Sequence, residues 1–183
     1  MTNYVYIGTS IDGYIADANE GIEWLECVPN PEGSDLGFFE FISQVDAVVM
    51  GRNTYETVIG FGQGWTYPVP GIILSSTLDA LPDEFSDQLH LFSGTTQEVI
   101  SHAKSYGFNN LYIDGGLTVQ QFLHEDLIDE LIITELPILL GAGIPLFANN
   151  SFGGDGQHLQ FELVAHEVLL DQLTKRHYRR KRD

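Results

Sequence analysis

The chain has 183 residues, 43% hydrophobic and 11% aromatic, with a formal net charge of −18. That is enough apolar material for one folded domain, 1–183, and it excludes a disordered chain. The acidity also argues against a nucleic-acid-binding body, because phosphates would be repelled.

No apolar run is long enough to span a bilayer, and the N-terminus opens on a strand pattern with no signal-like segment. We therefore expect a cytoplasmic protein with neither membrane nor nucleic-acid partners. Cys27 is the single cysteine, which excludes a disulfide framework and a cysteine metal cluster. The six histidines show no ligand spacing, so no metal site is expected.

Tyr4 to Ser10 alternates and reads as the first strand, with Asp12-Gly13 a turn and Tyr14-Ile15-Ala16 extended beyond it. Asp17 to Pro31 reads as a long loop carrying Trp24. Ser34 is a predicted N-cap, Asp35 favours the positive end of a helix, and Leu36, Phe39 and Ile42 give helical spacing through Val45. Ala47 to Met50 is a short apolar run, read as a buried strand. Gly51 breaks it, Arg52 and Asn53 turn the corner, and Thr54 to Ile59 begins a helix.

Gly60 to Gly64 is glycine-rich but follows a helix, so it is discounted as a dinucleotide fingerprint. Gly71 to Ser75 and Leu89 to Phe92 read as strands. Thr95 to Tyr106 is an amphipathic helix ended by Gly107. Leu111 to Asp114 is a strand, Gly115-Gly116 a break, and Leu117 to His124 a helix. Glu130 to Leu136 is a strand, Ile138 to Phe147 a shaped loop and Asn149 to Gly156 a second loop. Phe161 to Leu170 and Leu173 to Tyr178 form a hairpin around Asp171-Gln172. Alternating strands and helices closed by a hairpin predict a mostly parallel sheet, covered by helices on both faces, with an antiparallel edge.

Three strand ends carry groups suited to phosphate: Gly51-Arg52-Asn53-Thr54, Ser75-Ser76 and Gly115-Gly116-Leu117-Thr118. Ligands of open α/β sheets sit at such ends, and a helix starting there points free N–H groups at an anion. Arg52 is the one Lys or Arg before Lys104. Two roles fit it: a fork gripping phosphate, or a surface cation offsetting nearby acids. Arg52 with Ser75 and Ser76 would hold the extra phosphate that distinguishes NADP from NAD. Ser75 and Ser76 lack the context of a nucleophile elbow, which argues against a hydrolase. Six of the eight Lys and Arg residues lie in the last nine positions, where they either balance an acidic face or form a solvated end.

Several stretches together carry a family resemblance: Ser10 to Ala16, Met50 to Glu56, Ile72 to Ser76, Tyr112 to Gly116, Leu127 to Leu131 and Pro137 to Phe147. The chain resembles the dihydrofolate reductase superfamily, closest to the reductase domain of riboflavin biosynthesis, the C-terminal half of the bifunctional deaminase–reductase. The resemblance implies a three-layer α/β/α dihydrofolate reductase-like fold, its mixed, mostly parallel sheet ending in an antiparallel C-terminal hairpin. It implies NADPH as cofactor, held by Ile15, Ala16, Gly51, Arg52, Asn53, Thr54, Ser75, Ser76, Gly115, Gly116, Leu117 and Thr118. It places Asp35 as the acid at the substrate ring, with Phe39 and Trp24 packing beside it. For Asp35 alone the residues leave two roles open: that acid, or a helix-start carboxylate.

The implied activity is hydride transfer to a flat nitrogen heterocycle of pyrimidine or pteridine type. The alternative is a non-catalytic NADP(H)- or pterin-binding protein on the same fold. A homodimer is implied as well. One departure bears on substrate. The riboflavin-type reductases bind a ribose phosphate through basic residues on the first strand and first helix, whereas Tyr4 to Ser10 and Asp35 to Gln44 hold no Lys or Arg. An uncharged or cationic ring compound is therefore expected.

Overall fold

In a computed structural model of the chain, residues 1–147, 152 and 158–182 are described. The chain runs through β1 (Thr2–Ser10), β2 (Tyr14–Ala16), α1 (Phe38–Ile42), β3 (Ala47–Gly51), α2 (Arg52–Gly60), β4 (Gly71–Leu74) and β5 (Leu89–Phe92). It continues through α3 (Thr96–Ser105), β6 (Asn110–Asp114), α4 (Gly116–His124), β7 (Glu130–Leu136), β8 (Ile144–Pro145), β9 (Phe161–Leu169) and β10 (Leu173–Arg180). The main sheet has the order β5-β4-β3-β6-β1-β7-β10-β9. Every pairing from β5 to β7 is parallel, and β10 runs antiparallel to both β7 and β9. The mixed sheet with its C-terminal hairpin is as the sequence pattern predicts.

The period of two along β3 builds both cores. Ala47 and Val49 face one side, where α3 and α4 contribute Val99, Ala103, Val119 and Phe122. Val48 and Met50 face the other, where α1 and α2 contribute Phe41, Ile42, Tyr55 and Val58. All four β3 side chains are fully buried, which is why the strand reads as one continuous apolar run. The three layers are thus a sheet with a helix pair on each face.

Local chemistry explains the boundaries. Thr95 caps α3 in a capping box with Glu98, each binding the other's backbone. Leu170 and Asp171 both take positive φ, the conformation a tight hairpin turn needs to match strand twist.

Two expectations are corrected. The helix predicted from Leu36 to Val45 is the shorter α1, and its N-cap is Gly37, not Ser34. Asp35 folds back to accept hydrogen bonds from the N–H groups of Gly37 and Phe39, while Leu36 and Gly37 take positive φ, so the chain reverses before the helix can start. The loop from Ile138 to Phe147 contains β8, which pairs antiparallel with β2. Of the loop read over Asn149 to Gly156, all but Phe152 lies outside the described residues.

The basic C-terminal residues balance acids. Arg180 forms a two-point contact with Asp126 at 2.6 and 2.9 Å, Arg179 binds Glu130 at 2.9 Å, and Arg182 pairs with Asp129. No helix among the described residues is long and apolar enough to cross a membrane.

Candidate active site

After β3 the chain moves toward β4 and β5, whereas after β6 it crosses by α4 to β7 on the far side of β1. Adjacent strands β3 and β6 therefore send their connections in opposite directions. The crevice above their carboxyl ends is the position where open α/β sheets bind ligands. Two adjoining clefts occupy it.

The first is a polar cleft of about 330 Å³. It brings together Gly51, Arg52, Asn53, Thr54, Ser75, Ser76, Gly115, Gly116, Leu117 and Thr118, all of which the sequence had suggested for cofactor contact. The N-caps of α2 and α4 are Gly51 and Gly115, with no side-chain cap, and neither helix has an acid in its first turn. Their first N–H groups stay available to an anion. Gly115 holds φ +86°, and a Cβ there would collide with the Thr54 hydroxyl, so glycine is what lets the two helix starts approach.

Arg52 lies on the rim. One terminal nitrogen donates to Thr77 Oγ1 at 3.0 Å, and Nε sits 3.0 Å from Glu56 without hydrogen-bond alignment. Ser75 Oγ accepts from the N–H groups of Thr77 and Leu78, which fixes the Ser75–Thr77 turn beside the guanidinium. This donor set, with two uncapped helix starts, a guanidinium and hydroxyls, fits a dinucleotide bearing an additional phosphate.

The second cleft, of about 280 Å³, shares Asn53, Thr54, Gly115, Gly116 and Ile144 with the first. Ile15 and Ala16 line it, again as suggested for the cofactor, with Ile22, Leu25, Val58 and Phe61. At its floor are Tyr67, Tyr112 and Asp114. Asp114 Oδ1 accepts from the N–H of Gly115 at 2.8 Å, and Tyr67 donates to Oδ2 at 3.3 Å. Burial pushes the Asp114 carboxyl above the usual carboxylate range, outweighing the donors that favour its charged form. Burial, reinforced by the Asp114 charge, also raises the Tyr67 and Tyr112 phenols, which stay protonated. Tyr112 donates to the Tyr6 carbonyl at 2.9 Å.

The three residues suggested for substrate are not brought together. Asp35 is exposed, and the N–H groups of Phe39 and Gly37 hold its carboxyl below the usual range, the opposite of a buried acid. Phe39 is 69% exposed. The late start of α1 turns Phe38 and Phe41 inward instead, against Tyr6, Tyr67 and Tyr112. Trp24 is buried with Val28, Leu136 and Leu173. Its short 3₁₀ turn, Glu23–Glu26, offers Leu25 to the cleft.

The sequence reading missed Tyr67, Asp114 and Ile144, and Ser93-Gly94 in the polar cleft. Ser93-Gly94 follows β5 as Ser75-Ser76 follows β4, so that signal was available. Tyr67, in a proline-rich connection, had none. Asp12, in the turn after β1, accepts from the Ser10 hydroxyl and the N–H groups of Leu140 and Gly141, tying that turn to the glycine loop. Among the described residues no group of three or more His, Cys, Asp or Glu side chains could hold a metal.

Known proteins are similar to this chain in sequence and fold. A crystal structure from Shewanella sp. PV-4, described as a candidate riboflavin biosynthesis protein, superposes with a TM-score of 0.92 at 46% identity over the whole of both chains. The uncharacterized protein YwjB of Bacillus subtilis (strain 168) is 36% identical over 145 residues, 78% of this chain and 80% of that protein. Dihydrofolate reductase from Enterococcus faecalis, solved with NADP(H), shares the fold at a TM-score of 0.67 and 15% identity, covering 99% of this chain and 97% of that one. The family model described as the RibD C-terminal domain matches residues 4–174. With the crevice, the glycine corners, β9 and the start of β10 inside that span, the chain belongs to the RibD C-terminal domain family.

Proposed function

We propose that the protein is an NADPH-dependent reductase that passes hydride to a flat nitrogen heterocycle of pyrimidine or pteridine type. The observation that carries this reading is that the two clefts adjoin at the Gly115–Gly116 corner and share five lining residues. One cleft suits phosphates and the other suits a planar ring. In this reading the helix starts of α2 and α4 hold the pyrophosphate, and Arg52, Ser75 and Ser76 hold the 2′-phosphate. Ile15 and Ala16 flank the nicotinamide, which supplies the hydride.

The ring-side acid is Asp114 and not Asp35. Asp114 lies in the cleft with its carboxyl raised by burial, so it is suited to hold a proton and return it to a ring nitrogen. Asp35 caps a helix. Two further findings support the reading: membership of the family, and the fold shared with a reductase that binds NADP(H).

The test has two stages. Calorimetric titration should give tighter binding of NADPH than of NADH. Mixing the NADPH-loaded protein with a panel of pyrimidines and pteridines should then oxidise the nicotinamide. Equal affinity for the two nucleotides would overturn the cofactor assignment. Binding without oxidation by any acceptor would favour a non-catalytic NADP(H)-binding protein.

A further inference from the structure

The ring-side cleft has an unusual charge lining. Among the described residues its wall holds two carboxylates, Asp114 at the floor and Glu20, and no Lys, Arg or His. The cations nearest in the structure are already engaged. Arg52 belongs to the polar cleft, where it binds Thr77 and Glu56. Lys175 approaches the outer side of Tyr6 with its Nζ 5.9 Å from the ring centroid, but it donates to the Leu36 carbonyl at 2.9 Å and pairs with Glu167 at 2.7 Å. Lys175 is not among the residues lining the ring-side cleft. The backbone fixes the mouth. Asp17 Oδ1 accepts from the N–H groups of Asn19 and Gly21, and the Asp17 carbonyl accepts from Glu20, so Glu20 is held at positive φ on the rim of the cleft. With two acidic side chains and no cation on its wall, the site gives an anionic substituent no opposite charge, and it suits cationic or donor-rich rings.

We propose, building on the reductase reading above, that the substrate is an unphosphorylated nitrogen heterocycle, neutral or cationic, with Asp114 and Glu20 as the residues that select it. Selection works in both directions. Asp114 accepts from a ring N–H or exocyclic amine, while a phosphate on the substrate finds no Lys, Arg or His on the cleft wall and meets the Glu20 charge at the mouth. The wall thus sets the acceptor apart from the nucleotide. Phosphate belongs to the polar cleft, and the ring-side cleft refuses it.

The experiment uses the full chain saturated with NADP⁺, which fills the cofactor site and has no hydride to give, and titrates two matched pairs of probes by calorimetry. The first pair is uridine and uridine 5′-monophosphate, and the second is 4-aminopyridine, a cation at neutral pH, and nicotinate, an anion. The uncharged or cationic member of each pair should bind about tenfold or more tightly than its anionic partner. Asp114→Asn should reduce 4-aminopyridine affinity by about 10–100-fold, the range for a lost hydrogen bond to a charged group. Glu20→Gln should narrow the gap between uridine and its phosphate. Unchanged NADP⁺ affinity shows that each variant is folded.

Tighter binding of uridine 5′-monophosphate than of uridine by the wild-type protein would overturn the proposal, as would 4-aminopyridine affinity indifferent to Asp114→Asn. If Asp114→Asn does not fold, the wild-type comparison still decides. Failure of NADP⁺ itself to bind would instead count against the reductase reading, and the same probe pairs, titrated without nucleotide, would still judge the charge selection.

Discussion

In the proposed reductase, Arg52 and Asp114 divide the chemistry of the crevice, and each can be tested alone. Arg52→Ala should weaken NADPH by about 1.5–3 kcal/mol, the worth of hydrogen bonds to a charged group, and leave NADH nearly unaffected. Parallel losses for both nucleotides in calorimetry would remove the 2′-phosphate from Arg52. Asp114→Asn keeps the shape and the contact with the Gly115 N–H but removes the titrating group. NADPH affinity should persist while turnover falls by about 10²–10⁴-fold, typical of a lost acid–base group. Asp35→Asn should turn over as the wild type does, since its carboxyl serves the start of α1. A reversal of these two results in steady-state assays would return the acid to Asp35. Asp114 also leaves a mark on stability. Its folded-state value lies above its unfolded value, so the native protein binds more protons between the two. Stability should then fall as pH rises through that window and level off above it. Urea midpoints measured across mildly acidic to neutral pH should show this slope in the wild type and a shallower one in Asp114→Asn. Superimposable profiles would mean that Asp114 titrates normally.

At the level of elements, the sequence made the sheet legible because its strands are short apolar runs punctuated by Gly, Ser and Asp. Both glycine corners were legible for the same reason, and so was most of the cofactor cleft. The substrate side was less readable. Ser34-Asp35 looks like a helix start, yet the Asp35 carboxylate reaches past the next turn to Phe39 and delays α1 until Phe38. That shift exchanges Phe39 for Phe38 and Phe41 as the inward rings. β8 was hidden because its pairing partner, β2, is remote in sequence and each strand is only two or three residues long. Gly143 is the residue that permits the pairing. It holds φ +143°, and any Cβ there would collide with the Ala16 carbonyl. Gly143→Ala should therefore separate β8 from β2, cost on the order of 1–3 kcal/mol for the strained backbone alone, and lower NADPH affinity through Ile15 and Ile144. A thermal melt and a nucleotide titration matching the wild type would show that the loop tolerates the side chain.

For the molecule as a whole, charge and surface point to the same hairpin. Two copies of a chain with a net charge of −18 repel each other over most of their surface. The β9–β10 hairpin is the exception, because four cations, Lys175, Arg176, Arg179 and Arg180, outnumber its three acids, Glu162, Glu167 and Asp171. β9 is an edge strand with Leu163, Val164 and Val168 exposed at 53%, 42% and 65%, a surface suited to pairing with a second copy. We therefore expect a homodimer built on this hairpin. Light scattering at micromolar concentration should give twice the single-chain 20.4 kDa, and Leu163→Glu with Val168→Glu should return it to that value. A wild-type monomer would exclude the arrangement. The position of β10 also governs how the chain is made. β9 touches the sheet through β10 alone, and β10 slots between β9 and β7 after both have been synthesised. Until then a nascent chain carries two open strand edges, while every residue lining its candidate cofactor crevice, all upstream of residue 148, has already been synthesised. Early ligand capture on the ribosome, before the hairpin closes, would shield that half-built sheet from proteases and from neighbouring chains.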